Sequence, residues 1–399
     1  MTVTPEGRGG APSSAGVKVR LPWVDATRGY SVAAVVLFHV VLWGYLDAGT
    51  PVADAGRSLW GTVNSLLGSV RMPVMLAVSG LVLARRIRVG PLRHGTLVRS
   101  ARNYYLYVVW LLVYAVFFAV FTQPYLRHRV DGVEVVQQLV IPATTLWYLF
   151  AIAAYSLVLT AVRRWPPWLV LSLLAALSVA IKSLALPADL WQKIPELFIF
   201  YAVGVYGAGV LRRVAEHATV VRILLAAVVA AGVTKLGQFT DGRVAEALLS
   251  VSRGVAFLVL AVLCVAVAVR WSPLRRLGVA LGRQTLGIYV LHPLWIGLLT
   301  IMVAGPGRGV FSEVLDHPVS AVAYPAVATA VIIAVSMPVR ALAERARLGW
   351  LFALPTSWEE APARFAERRL SSPGSRADPT PSTLGSTSGA WAPADKELI

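Results

Sequence analysis

Arg28 and His39 stand eleven residues apart in the stretch Trp23–Tyr45, WVDATRGYSVAAVVLFHVVLWGY. On an α-helix that offset is three turns plus roughly 20°, so the two side chains share a face, and the rise of 1.5 Å per residue puts His39 about 16 Å beyond Arg28. If Arg28 lies at a membrane surface, His39 lies near the middle of a hydrocarbon core about 30 Å thick. An ionisable group at that depth is costly and is a candidate functional residue; the alternative is an interhelical hydrogen-bonding group. Arg71, in SVRMPVMLAVSGLVLA, falls mid-way along the second apolar run, where an isolated charge costs at least about 3 kcal/mol. It needs a partner, water or a ligand, and a structural pairing with carbonyls or a distant acid is the competing reading. Arg99 and Arg102 form an i,i+3 pair where the third run begins, a pattern that plain topology signal also produces. His292, in LGRQTLGIYVLHPLW, reaches about the same depth as His39 and, taken alone, reads as a packing histidine. Arg253 can snorkel to the surface from two turns inside the eighth run. No Asp or Glu lies deep in an apolar run, and Glu196 and Glu246 sit near the ends. An interior with cations and histidines but no acids suits a phosphate-rich ligand, and lacks the buried carboxylates on which ion-coupled transporters usually rely.

The elements that must position these residues follow from composition. Of 399 residues 57% are hydrophobic and 14% charged, and the mean hydropathy is +0.67. No ordinary soluble domain has this balance, so the chain is expected to be an all-α, polytopic membrane protein. A net charge of +17 and a pI near 10.5 would suggest nucleic acid in a soluble protein. Here the basic residues fall in short loops between apolar runs, as insertion topology requires, and no nucleic-acid partner is expected. One cysteine, Cys264, lies in an apolar run, which leaves no disulfide framework and no thiolate metal site.

Residues 1–20 are rich in Gly, Ser, Ala and Pro and read as a disordered cytoplasmic N-terminus. Ten apolar runs follow, approximately 29–46, 62–84, 103–121, 140–161, 168–186, 194–211, 219–236, 247–269, 282–303 and 319–341, each near the 20 residues a bilayer needs. With the N-terminus inside, the inner loops carry fifteen Lys and Arg and the outer loops eight, together with most of the acids. That bias sets both termini on the cytoplasmic side. The membrane domain is expected over 21–342, and residues 343–399, charged and then rich in Pro, Ser and Thr, read as a largely disordered cytoplasmic tail. Trp165-Pro166-Pro167-Trp168 reads as a tight interfacial turn with aromatic anchors.

Six segments in order resemble the membrane acyltransferase 3 family: Arg28-x10-His39; RMPVMLAVSG with Ser79-Gly80; Arg99-x-x-Arg102; Leu146-Trp147-Tyr148-Leu149; Phe200-Tyr201-Ala202-Val203-Gly204; and Leu281-Gly282 through Ile288-Tyr289-Val290-Leu291-His292. Where relatives have Phe-rich sequence before the Ser-Gly, this chain has Met72, Val74, Met75 and Ala77, and it adds Arg71.

The resemblance implies a cell-membrane enzyme that moves an acyl group, most often acetyl, from acyl-CoA to a hydroxyl of a glycan, lipid-linked sugar or small natural product. The implied partners are acetyl-CoA as donor, that acceptor and membrane lipid, with no metal. His39 is then the catalytic candidate, as base or as acyl carrier, since a neutral imidazole can take a proton near pH 7. Arg28, Arg99, Arg102 and Arg71 are the candidate donor-binding residues. The 16 Å rise from Arg28 to His39 is comparable to the reach of a pantetheine arm. A permease or flippase for an anionic or lipid-linked substrate is the alternative from another class.

Overall fold

Long apolar runs punctuated by Pro, Gly and Arg give a chain in which helix is the only way to satisfy the backbone inside hydrocarbon. The computed structural model describes residues 21–47, 52–90, 96–122, 132–184 and 190–355, and among these no strand occurs. The expectations for residues 1–20 and for most of the tail lie outside the described residues.

The helices in chain order are α1 (Pro22–Val41), α2 (Asp54–Val89), α3 (Thr96–Val120), α4 (Gly132–Gln138), α5 (Trp147–Ala161), α6 (Pro167–Ser183) and α7 (Lys193–Tyr206). They continue with α8 (Ala208–Glu216), α9 (Val220–Leu236), α10 (Arg243–Ala268), α11 (Ser272–Arg283), α12 (Thr285–Ala304), α13 (Arg308–Asp316) and α14 (Pro318–Arg345). Each of the ten expected runs contains helix, but among the described residues six helices are long and apolar enough to cross a membrane: α1 with its continuation to Leu46, α2, α3, α10, α12 and α14. The pair α7 and α8, bent by 71° at Gly207, makes a seventh if it is one broken span. Helix α5 has 15 residues and α6 and α9 have 17, which at 1.5 Å per residue cover about 22 to 25 Å, short of a 30 Å core. The local reason is punctuation. Pro142 and the Thr144–Leu149 turns delay the start of α5, and the Arg163-Arg164-Trp165-Pro166 turn ends it. Trp165 and Trp168 stand exposed at that turn, as interfacial anchors should.

Helices α1 and α2 supply much of the interior. The outward faces of α9 and α14 are apolar, with Val221, Leu224, Leu225 and Val228 of α9 exposed, the reverse of a soluble protein. Two crossings are close enough to exclude any side chain. A Cβ on Gly80 of α2 would collide with the carbonyl oxygen of Tyr201 on α7, and one on Gly204 of α7 with that of Ala77. In the same way Gly29 of α1 faces Gly278 and Gly282 of α11, and a Cβ on Gly282 would meet the carbonyl of Asp25. Small residues let these backbones touch, the means by which helices associate where lipid removes the hydrophobic driving force.

Polar groups close the ends. The Arg88 guanidinium donates to the carbonyls of Val205 and Tyr206 (3.0 and 2.8 Å), which the break after α7 leaves without helical partners. Arg270 does the same for Ala218 (2.6 Å), and Lys182 pairs with Glu196 (3.1 Å) to tie α6 to α7.

The packed region continues beyond the expected boundary at 342, to Leu354. Phe352 is 1% exposed and stacks obliquely on Trp110 of α3, while Trp110 Nε1 donates to the Leu351 carbonyl (2.7 Å). Local composition after Leu342 is polar, and the apolar side chains of Leu351 and Phe352, packed on the core, outweigh it.

Candidate active site

The sequence places His39 on α1 and His292 on α12, and the fold brings the two rings together, with His292 Nε2 3.2 Å from His39 Nδ1 and ring centroids 5.2 Å apart. Each Nδ1 also faces a backbone carbonyl: His292 that of Tyr289 (2.6 Å) and His39 that of Val35 (2.9 Å). A carbonyl only accepts, so both Nδ1 atoms carry protons. His292 Nε2 is then a lone pair that receives the His39 N–H as a second acceptor beside Val35. This tautomer leaves the lone pair of His39 on Nε2, the basic position of an imidazole. Trp43 stacks on His39 at 4.4 Å and Phe38 meets it edge-on at 5.2 Å. Three residues beyond His39 the helix widens into a π-helical turn, Leu42–Leu46, a distortion common beside functional residues. His292 is fully buried and His39 half-buried.

Arg28, Arg99 and Arg102 are brought together, and Arg86 joins them: the charges of Arg86, Arg102 and Arg28 all act on Arg99. Arg28 reaches this group from α1, Arg86 from the end of α2, and Arg99 and Arg102 from the first turns of α3. Guanidiniums drawn from three helices toward Arg99 have the chemistry to hold an anion. In the sequence Arg86 is one of the fifteen basic residues of the inner loops, with nothing in its spacing to set it apart.

A train of hydroxyls joins this cluster to the histidines. Tyr201 and Tyr148 are near enough to Arg99 and Arg28, respectively, to feel their charges. Tyr201 OH bonds Ser156 Oγ (2.7 Å), and Tyr148 OH donates to Ser79 Oγ (2.7 Å), whose own proton goes to the Met75 carbonyl (2.8 Å). Tyr148 and Tyr289 meet edge-to-face at 5.4 Å, Tyr289 donates to the Thr145 carbonyl, and its ring lies 5.9 Å from His292. The Ser-Gly, Leu-Trp-Tyr-Leu, Phe-Tyr-Ala-Val-Gly and Ile-Tyr-Val-Leu-His segments thus converge on one column. In the sequence Tyr148, Tyr201 and Tyr289 stand only as parts of the family-like segments, and no spacing signal links them to one another.

Arg71 is not part of the cluster. Its guanidinium carbon lies 3.3 Å from the centroid of the Phe38 ring, so it sits at the depth of His39. Arg253, on α10, is half-buried.

A helical bundle with several helices long and apolar enough to span a bilayer, and with a half-buried His39 against a buried His292, defines a multi-pass membrane protein. The family model described as an acyltransferase domain matches residues 21–340, most of the chain, and the protein belongs to the acyltransferase 3 family. No curated protein and no solved structure matches it. The chain is therefore a membrane acyltransferase, and its matched region includes every candidate site residue.

Proposed function

We propose that the protein is an integral-membrane O-acyltransferase that takes an acyl group, acetyl in the first instance, from acyl-CoA and places it on the hydroxyl of a glycan, lipid-linked sugar or small natural product. The observation that carries the reading is the His39–His292 contact, which sets the basic nitrogen of His39 in the membrane interior about 16 Å along α1 from a cluster of guanidiniums. The phosphates of coenzyme A dock on Arg28, Arg99 and Arg102, with Arg86 beside them, and the neutral pantetheine arm runs inward beside the Tyr148–Tyr289 column. His39 Nε2 takes the proton of the acceptor hydroxyl as its oxygen attacks the thioester carbonyl, giving a tetrahedral intermediate. Collapse breaks the C–S bond, and the proton on His39 passes to the departing thiolate, so the products are the ester and free coenzyme A. His292 accepts the Nδ1–H of His39 and holds the ring in its tautomer. By topology we further propose ten membrane passes, with the short helices filled out by flanking turns, both termini on the cytoplasmic side of the cell membrane, and donor entry from that side.

The direct test is coenzyme A release from acetyl-CoA by the purified protein in nanodiscs, wild type beside His39→Ala, with donor binding recorded for both. Release abolished in a variant that still binds donor is the expected result. Equal release by both proteins would refute the role of His39, and a wild type that binds no donor would favour the permease.

A further inference from the structure

Arg71 is a cation in the middle of a spanning helix, and the fold gives it little to do. Its Nη1 donates a long hydrogen bond to the Leu67 carbonyl (3.4 Å), its Nε is buried with no partner, and it has no carboxylate partner among the described residues. The Phe38 ring covers one face of the guanidinium at 3.3 Å, a cation–π contact that offers no hydrogen-bond acceptor. Gly68 flanks the pair, and a Cβ there would come only to ordinary contact distance, 3.8 Å, from both Arg71 Nη1 and the Phe38 ring. Arginine presents five N–H groups in a fork that matches carboxylate or phosphate, and here most of that fork is unused. A charge held this way inside hydrocarbon is stabilised when an anion comes to it.

The donor cannot supply that anion. Phe38 is ten residues beyond Arg28 on α1, about 15 Å further into the bundle, and between its phosphates and its thioester coenzyme A carries only the neutral pantetheine arm. The separation of Arg71 from the reactive ring is far smaller. It is bounded by two legs, 3.3 Å from the guanidinium to Phe38 and 5.2 Å from Phe38 to His39.

From this geometry, and resting on the acyl-transfer reading above, we infer that the acyl acceptor is anionic: it presents a carboxylate or phosphate to Arg71 while its hydroxyl lies on His39. The two legs accommodate one sugar acid or one polyol phosphate, with hydroxyl and anionic group on the same unit. Arg71 is thus the specificity-determining residue for the acceptor.

The test uses the full-length protein in zwitterionic nanodiscs with acetyl-CoA and matched acceptors, methyl glucoside against glucuronate and glycerol against glycerol 3-phosphate, scored by coenzyme A release. Wild type is expected to favour the charged member of at least one pair by about tenfold or more, Arg71→Gln to abolish that ratio, and Arg71→Lys to retain part of it. Equal use of charged and neutral members, a preference that survives Arg71→Gln, or a uniform loss over all acceptors including water would overturn the inference while leaving acyl transfer intact. Absence of any release by the wild type refutes the acyl-transfer reading itself. If water is the only acceptor used, thermal unfolding decides: stabilisation of the wild type but not Arg71→Gln by glucuronate or glycerol 3-phosphate upholds the anion site, and no such difference overturns it. Arg71-dependent stabilisation by phosphatidate in the bilayer, without effect of the soluble anions, would assign the site to a lipid headgroup and overturn the acceptor assignment.

Discussion

His292 Nε2 lies 3.2 Å from His39 Nδ1, joining the first spanning helix to the twelfth helix across 253 residues of sequence. Because the Nδ1 proton of His39 is shared between this nitrogen and the Val35 carbonyl, His292 fixes the orientation of the ring without touching substrate. His292→Asn keeps a short polar side chain and should lower kcat by about tenfold, and His292→Leu by about a hundredfold, with KM for acetyl-CoA within twofold of wild type. Steady-state kinetics on both variants check this. A matching rise in KM would mean that His292 supports the fold instead.

His39→Ala should lower kcat by about 10² to 10⁴, the scale of general-base loss, while donor affinity measured by calorimetry stays within twofold. In the reading proposed above, the donor is held by the arginine cluster around Arg28, at the other end of α1.

The guanidinium cluster predicts a discrimination between donors. Arg99→Gln should raise KM for acetyl-CoA by about tenfold or more, the scale of one charged hydrogen bond, and leave use of S-acetyl-pantetheine unchanged, because that donor has no phosphates. Arg102→Gln should behave alike. Loss of both donors in parallel would show that these arginines support the helix ends.

At the α2–α7 crossing, Gly204→Val should cost at least about 1 to 3 kcal/mol, since the new side chain must displace the Ala77 backbone. The unfolding midpoint in detergent should fall, and Gly209→Val, on the next helix where a Cβ meets nothing, should leave it unchanged.

Ending the chain after Pro355 should preserve thermal stability, whereas ending it after Leu348 removes Phe352 and two backbone acceptors of α3. The second truncation should cost on the order of 3 kcal/mol, the price of emptying a buried aromatic site.

Much of the architecture was legible in the sequence because membrane insertion writes itself in composition: apolar runs of set length with arginine between them. The shared face of Arg28 and His39 followed from one angle. The contact between His39 and His292 did not, because a single sequence records the depth of a residue along its own helix but not the azimuth at which two helices meet. Arg71 was grouped with the other arginines on charge alone, and its contact with Phe38 separates it from them. The span count was set by hydropathy, which does not register where Pro142 shortens α5 or where Gly207 bends the chain. The polar run after Leu342 hid Phe352, whose ring packs on Trp110 of α3.

The hydroxyl column has a consequence for chemical self-protection. Within it Tyr289 donates to the Thr145 carbonyl and Ser79 to that of Met75 (2.8 Å), and outside it Tyr114 donates to the Val290 carbonyl (2.9 Å) and Tyr107 to that of Gln138. Each of these oxygens has committed its proton to main chain that cannot act as a base strong enough to remove it. Cys264, the one thiol, faces outward on α10. If the thioester of the proposed donor passes along this column, Ser79 and Tyr289, their protons held by main chain, are not activated to intercept the acyl group before it reaches His39.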